Sequence, residues 1–272
     1  MKCAVVGHVE WVDFARVERL PRPGEIIAAL ESWAEPAGGG GVSVVQLARM
    51  CGHAVFFTAL GDDDVGRRTG RELEALGVSM RVAWKTAATR RAFTFVDAQG
   101  ERTITTMGER LEPRAEDDLP WGELDDVDAV YFTAGDEGAL REARRAKAVV
   151  ATARILPLLR RARVRLDAVV HSASDPSEHY APGDLDPPPC LVVSTAGRDG
   201  GRWEAADGFS GVWTPAPLER PIVDAYGAGD SFAAGLAFAL GNGFSPQEAV
   251  EEAARWSAAA LTRRGAHGNA PR

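Results

Sequence analysis

Short, almost continuous apolar runs recur through this 272-residue chain, with helical patterns between them. "KCAVVG" (Lys2–Gly7), "AVFFTALG", "DAVYFTAG", "AVVATA", "LDAVVHSAS" and "PCLVVSTAG" are such runs. Apolar on both faces and too short for buried helices, they predict strands of a mainly parallel sheet with helices on each side. Gly38 to Gly41 open the helical pattern "VSVVQLARMCG", which Gly52 closes. "DDDVGRRTGRELEALGV" places acids in a first helical turn, as the helix dipole favours. "EGALREARRAK" is a helix whose Arg141, Arg144, Arg145 and Lys147 form a solvated face. The expected class is α/β, one domain over 1–272, with no linker or internal repeat.

Two stretches break the alternation. Residues of about 9–36 and 85–108 read as strands with no helix between them, and predict a small sheet projecting as a lid. "RRAFTFVDAQGERTITTMG" reads as a hairpin turning at Asp97 to Gly100. Arg90, Arg91 and Arg102 on these strands either protect an exposed edge or reach an anion on a substrate. Trp11 and Trp33 either stack on a sugar ring or pack the lid. "PGDLDPPPC" holds too many prolines for regular structure. Two helices follow, "GAGDSFAAGLAFALGNG" and "SPQEAVEEAARWSAAALTRR", the second with Ser245 as N-cap, then Pro246 and Glu248.

The net charge of −8 argues against a broad nucleic-acid or anionic-membrane surface, but not against a locally positive pocket. Three dispersed cysteines, without C-x-x-C, point to neither a disulfide framework nor a cysteine zinc site. The N-terminus lacks a signal-peptide pattern, and no window approaches the roughly 20 apolar residues of a membrane span. A cytoplasmic location is expected.

Phosphate-binding patterns narrow the function. G-x-x-x-x-G-K-S/T, G-x-G-x-x-G and H-R-D are absent. "GAGD" at Gly227–Asp230 remains, where a helix begins. The first turn of a helix has unpaired N–H groups and a partial positive charge, and glycines let an anion approach them. Gly227, Ala228 and Gly229 can thus hold the charge that develops on a transferring phosphoryl group. Asp230 can accept the proton of an attacking hydroxyl. The plainer alternative is that Asp230 or Ser231 only caps the helix while the glycines ease packing.

"VDAYGAGDSFAAGLAFAL" resembles the C-terminal signature D-T-x-G-A-G-D-x-F of the ribokinase-like, or PfkB, carbohydrate kinases. The resemblance covers nearly the whole chain. "PRPGE" (Pro21–Glu25) resembles the segment leading into that family's lid, and "GGGGVSVVQLARMCG" its glycine helix beside the sugar. "ALGDDDVGRRTGRELEALGV" is similar to its G-x-D-x-x-G helix, and "VVSTAGRDGG" to its T-x-G-x-x-G nucleotide turn. The resemblance implies a three-layer fold with a β lid, and transfer of the γ-phosphoryl group of ATP, with Mg²⁺, to a hydroxyl of a sugar. By position it makes Asp230 the base and Gly227–Gly229 the anion hole. Thr195, Gly197, Gly200 and Asp224 fall at the nucleotide. Gly38, Gly39, Gly40 and Ser43 fall beside the sugar.

Several positions depart from that pattern. Val12 stands where relatives have a sugar-binding Asp, so Glu10 or Asp13 is expected to take that role, with Arg91 as a further substrate contact. Ser43 replaces an Asn. Ala225 replaces a Thr that helps hold a monovalent cation in relatives, which leaves a potassium requirement open. Asp175, in Ser172-Ala-Ser-Asp175, replaces a Glu and is expected to hold Mg²⁺ through water. The chain ends at "GAHGNAPR" without the final helix usual in the family. The expected activity is a sugar kinase, with a homodimer through the lid as the expected assembly. The alternatives are a nucleoside kinase with Trp11 stacking on the base, or a sensor that binds sugar or nucleotide without turnover.

Overall fold

The computed structural model describes residues 1–268. β1 (Cys3–Val6) opens the main sheet, and the chain leaves it for β2 (Glu10–Arg16) and β3 (Glu31–Ala37) of the lid. It returns through α1 (Gly38–Cys51), β4 (Ala54–Gly61), α2 (Asp64–Ala75) and β5 (Val78–Lys85). β6 (Arg91–Val96) and β7 (Arg102–Met107) finish the lid. Then come β8 (Ala129–Phe132), α3 (Glu137–Ala143), β9 (Ala148–Thr152), α4 (Leu156–Ala162), β10 (Ala168–Ser172), β11 (Leu191–Thr195), β12 (Gly201–Ala205) and β13 (Ser210–Trp213). α5 (Ala228–Gly241) and α6 (Pro246–Leu261) complete it.

The main sheet has nine strands in the order β13-β12-β11-β10-β9-β8-β1-β4-β5. All neighbours from β11 to β5 are parallel, and the β12–β13 edge is antiparallel. Alternation along β1 shows why its run is apolar throughout. Cys3 and Val5 enter the core layer beneath α1, α5 and α6, whereas Ala4 and Val6 enter the layer beneath α3 and α4. The three-layer α/β class expected from the apolar runs is the one observed. No helix among the described residues is long and apolar enough to cross a membrane.

The lid has the order β3-β2-β6-β7. β2 and β6 run parallel, while the outer pairs are antiparallel. Its inner face packs Val12, Phe14, Ala92 and Val96 against Val42 of α1 and Tyr226. Phe14 stacks on Trp33 with ring centroids 4.9 Å apart, so Trp33 is a packing residue of the lid. Trp11 is buried under the Arg68 guanidinium, 4.2 Å from its ring. The hairpin turn forms at Asp97, whose Oδ1 accepts from the amides of Gln99 and Glu101.

Ser245 and Glu248 make the expected capping box on α6. Sequence reasoning did not resolve β5, β12 or β13. β5, "VSMRVAWK", is a half-exposed edge strand of mixed polarity, and the β12–β13 hairpin is rich in glycine and polar residues. Neither carries the continuous apolar run that marks a central strand. The final residues "NAPR" lie outside the described residues.

Candidate active site

The carboxyl ends of the parallel strands meet the start of α5, the crevice where open α/β sheets ordinarily bind ligands. Gly227 is the N-cap of α5, at φ 74°, and no side chain caps the helix. A Cβ at Gly227 would stand 2.8 Å from Val42 Cγ1, so both backbone angle and space demand glycine. A Cβ at Gly229 would meet nothing within 4 Å. The first turn is therefore left open on that side. Neither Asp230 nor Ser231 bonds back to the helix start, which removes the plain capping reading.

Asp230 is half-buried in that first turn. Tyr131, at the end of β8, donates its hydroxyl to Asp230 Oδ1 across 3.3 Å. Burial pushes the Asp230 carboxyl above its ordinary value. The charges of Arg154 and Arg102 and the Tyr131 bond oppose that shift, and Glu178 adds to it. A carboxylate so placed is a better proton acceptor than a free aspartate.

The glycines that open α1 form the floor beside it. A Cβ at Gly39 would lie 3.1 Å from Asp230 Oδ1, and one at Gly38 would lie 3.2 Å from both Glu10 Cγ and His8 Nε2. The bare backbone thus runs between Glu10 and Asp230. Gly38, at φ 76°, donates its amide to the Tyr226 hydroxyl at 3.2 Å. Gly40 serves packing, since its Cβ would meet His8 O at 2.5 Å and Phe56 at 2.9 Å. Glu10 is buried, and burial raises its carboxyl against the charges of Arg90 and Arg110. Arg90 Nε lies 3.2 Å from Glu10 Oε2. Burial, then Arg110, Arg90 and Arg154, push His8 down to about 3, so its ring is neutral at physiological pH.

The remaining expected residues are spread more widely. Ser43 is fully buried and its hydroxyl donates to Gly39 O at 2.6 Å, a bond within the helix start. Asp13 pairs with Arg91 at 2.7 Å, and strand alternation puts both on the lid face opposite Glu10. The inward arginine is Arg90. Asp224 is buried and accepts from Tyr226 N at 2.6 Å and Gly265 N at 2.9 Å, which ties the motif to the C-terminal segment. Thr195 ends β11, and Gly197 (φ 56°) and Gly200 (φ 78°) shape the turn beyond it. Asp175 follows β10, accepts from Ser177 N and faces Arg154 at 3.4 Å.

Sequence reasoning missed Arg154, Glu178, Tyr131 and His8. Arg154 follows β9 and forms ion pairs with Glu178 and Asp175. Each of the four lies at or just beyond the carboxyl end of a parallel strand. That position, not a motif, was the available signal. A groove of about 640 Å³ lined by Tyr180, Arg202 and Trp203 contains none of the cleft residues centred on Asp230.

Comparison with known proteins agrees with this fold. The model of the pfkB family carbohydrate kinases matches residues 1–173 and 189–272. A ribokinase of Staphylococcus aureus is 30% identical over 110 residues, a stretch spanning 39% of this chain and 36% of that protein. An ATP-dependent ribose-1-phosphate kinase of Halopiger xanaduensis is 27% identical over 248 residues, covering 85% of this chain and 81% of that one. The crystal structure of ribokinase from Thermotoga maritima superposes with a TM-score of 0.79 at 23% identity, covering 99% and 95% of the two chains. The chain belongs to the pfkB family of carbohydrate kinases and is an enzyme of that class.

Proposed function

We propose that the protein transfers the γ-phosphoryl group of ATP to a hydroxyl of a small sugar or sugar-like molecule. Asp230 is the general base, and the amides of Gly227, Ala228 and Gly229 hold the charge that develops on the phosphoryl group. The observation that carries this reading is the uncapped start of α5, with the Asp230 carboxylate beside a bare glycine floor. Glu10 accepts bonds from sugar hydroxyls at the other end of that floor. Closure of the lid excludes water and so suppresses hydrolysis of ATP.

The nucleotide lies along Thr195, Gly197 and Gly200. Asp175 and Glu178 both pair with Arg154, and the charges of Arg154 and Glu178 reach Asp230, so the two carboxylates are a donor set that fits Mg²⁺ held mostly by phosphates and water rather than by a protein cage. Mg²⁺ there would neutralise charge between the phosphates. Among the described residues no cluster of three or more His, Cys, Asp or Glu could hold a metal alone. Ala225 brings no side-chain oxygen to a monovalent cation, and comparison of rates in potassium and sodium buffers tests that requirement. β7 is exposed along its whole length, which suits pairing of two lids in a homodimer, measurable by light scattering. Trp11 is covered by Arg68, which favours a sugar over a nucleoside acceptor.

ADP release from Mg·ATP with pentoses, hexoses, sugar acids, sugar phosphates and nucleosides tests the reading, with wild type beside Asp230→Asn. Turnover lost in the variant supports it. Binding of ligands without ADP from any acceptor would sink it and leave the sensor.

A further inference from the structure

Unsatisfied polar atoms gather at the lid end of the cleft. His8 Nδ1, Glu10 Oε2 and Arg90 Nε are buried, and none has a hydrogen-bond partner of good geometry among the described residues. Arg90 and Glu10 face each other only as an ion pair. Buried polar atoms are ordinarily bonded, so such a group marks where a polar ligand completes the bonding. A sugar hydroxyl suffices for Glu10, since it donates to a carboxylate.

A hydroxyl does not account for the second guanidinium. β7 ends at Met107, paired with Arg91, and Gly108 follows at φ 90°, where its Cβ would lie 3.9 Å from Arg90 Cα. The chain thus leaves the lid beside Arg90, two residues before Arg110. Arg110 is exposed and makes no hydrogen bond or ion pair among the described residues. Arg90, Arg91 and Arg154 each face a carboxylate. Burial aside, Arg110 is the charge that bears most on His8, and it acts on Glu10 together with Arg90. Glu109 precedes Arg110 in the chain, and Arg110 is the charge that bears most on Glu112, yet neither carboxylate forms an ion pair with it among the described residues.

We propose that the acceptor carries an anionic group, a phosphate or a carboxylate, which Arg110 and Arg90 bind at the lid end of the cleft while a free hydroxyl faces Asp230. The inference rests on the kinase reading above and names the substrate class of the same site. Guanidinium groups bind either oxyanion through two parallel charge-assisted hydrogen bonds, which are stronger than those to the hydroxyls of a neutral sugar.

The test pairs charged and uncharged acceptors. ADP release from Mg·ATP is measured with ribose 1-phosphate, fructose 1-phosphate and gluconate beside ribose, fructose and glucose, for wild type, Arg110→Gln and Arg110→Lys. Wild type is expected to prefer one charged member over its parent by about 100-fold in kcat/KM, the scale of one or two charge-assisted bonds. Arg110→Gln should shrink that preference by ~10-fold or more, mainly through KM, and Arg110→Lys should restore part of it. The phosphates and gluconate separate the two anions. Equal use of the parent sugars, or a preference that Arg110→Gln leaves intact, overturns the proposal. If no acceptor yields ADP, the kinase reading fails separately, and calorimetric titration of the same compounds decides. Charge-selective binding lost in Arg110→Gln upholds the anionic site; binding indifferent to charge, or none, overturns it.

Discussion

Tyr131 and Asp230, 99 positions apart, meet where β8 ends and α5 begins, and the phenol hydroxyl donates to Oδ1 at 3.3 Å. The bond stabilises the charged carboxylate that burial disfavours. A base must be deprotonated to act, so kcat/KM should rise with pH through the Asp230 pKa, and that limb should lie above the ordinary aspartate range. Tyr131→Phe removes one contribution that lowers this pKa. The acid limb is therefore expected to move to higher pH by roughly half to one unit, from a bond of about 1 kcal/mol at 1.36 kcal/mol per unit. An unmoved limb would mean that Asp230 is not the group being titrated.

Asp230→Asn keeps the shape of the side chain and removes its basicity. kcat is expected to fall by ~10² to 10⁴-fold, with ATP affinity by calorimetry nearly unchanged. Near-normal turnover would reassign the base.

Arg154 and Glu178 make a test of opposite signs. Arg154 lowers the Asp230 pKa and Glu178 raises it. Arg154→Met should shift the acid limb upward, and Glu178→Gln should shift it downward, also because Arg154 is then released from its ion pair. Shifts in the same direction would show that this ion pair acts through structure rather than through its field.

Much of this arrangement was legible in the sequence because glycine and apolar runs carry strong local signals. Gly227 and Gly38 take positive φ, and only glycine fits there. The central strands are buried on both faces, so their apolar runs stand out. The lid followed from strands without intervening helices. Side-chain direction was less legible. Arg90 and Arg91 are adjacent and chemically identical, and only the strand register turns the first inward to Glu10 and the second outward to Asp13. Arg154 and Tyr131 belong to no motif, and topology alone brings them to Asp230.

Gly227 and Gly229 should respond differently to the same added methyl. Gly227→Ala forces an L residue into positive φ and against Val42, so unfolding free energy should fall by about 1–3 kcal/mol. Gly229→Ala meets open space inside a helix and should leave stability unchanged or slightly raised. Its methyl enters the space assigned to the phosphoryl group, so kcat should fall at least ~10-fold. Denaturant unfolding and steady-state rates check the pair, and an active, stable Gly229→Ala would remove the anion hole from this turn.

The buried His267 sets a pH dependence of stability distinct from that of activity. Burial, with a contribution from Arg49, pushes its ring down to about 4 from 6.5, against a bond to Pro36 O. The folded pKa is depressed for a group that is charged when protonated. Between pH 6.5 and about 4 the unfolded chain therefore holds the extra proton, and stability falls as pH falls. Above 6.5 both states are neutral and the contribution is constant. From pH 7.5 to 5.0 the loss assigned to His267 is about 2 kcal/mol, at 1.36 kcal/mol per unit below 6.5. Glu10, Glu35 and Asp230 have raised folded values, so their protonation at lower pH works the opposite way and offsets part of it. The informative quantity is thus the difference between proteins. His267→Gln, which can still donate to Pro36 O, should lose less stability than wild type between pH 7.5 and 5.0 in urea unfolding. Equal losses would show that His267 is not the titrating group.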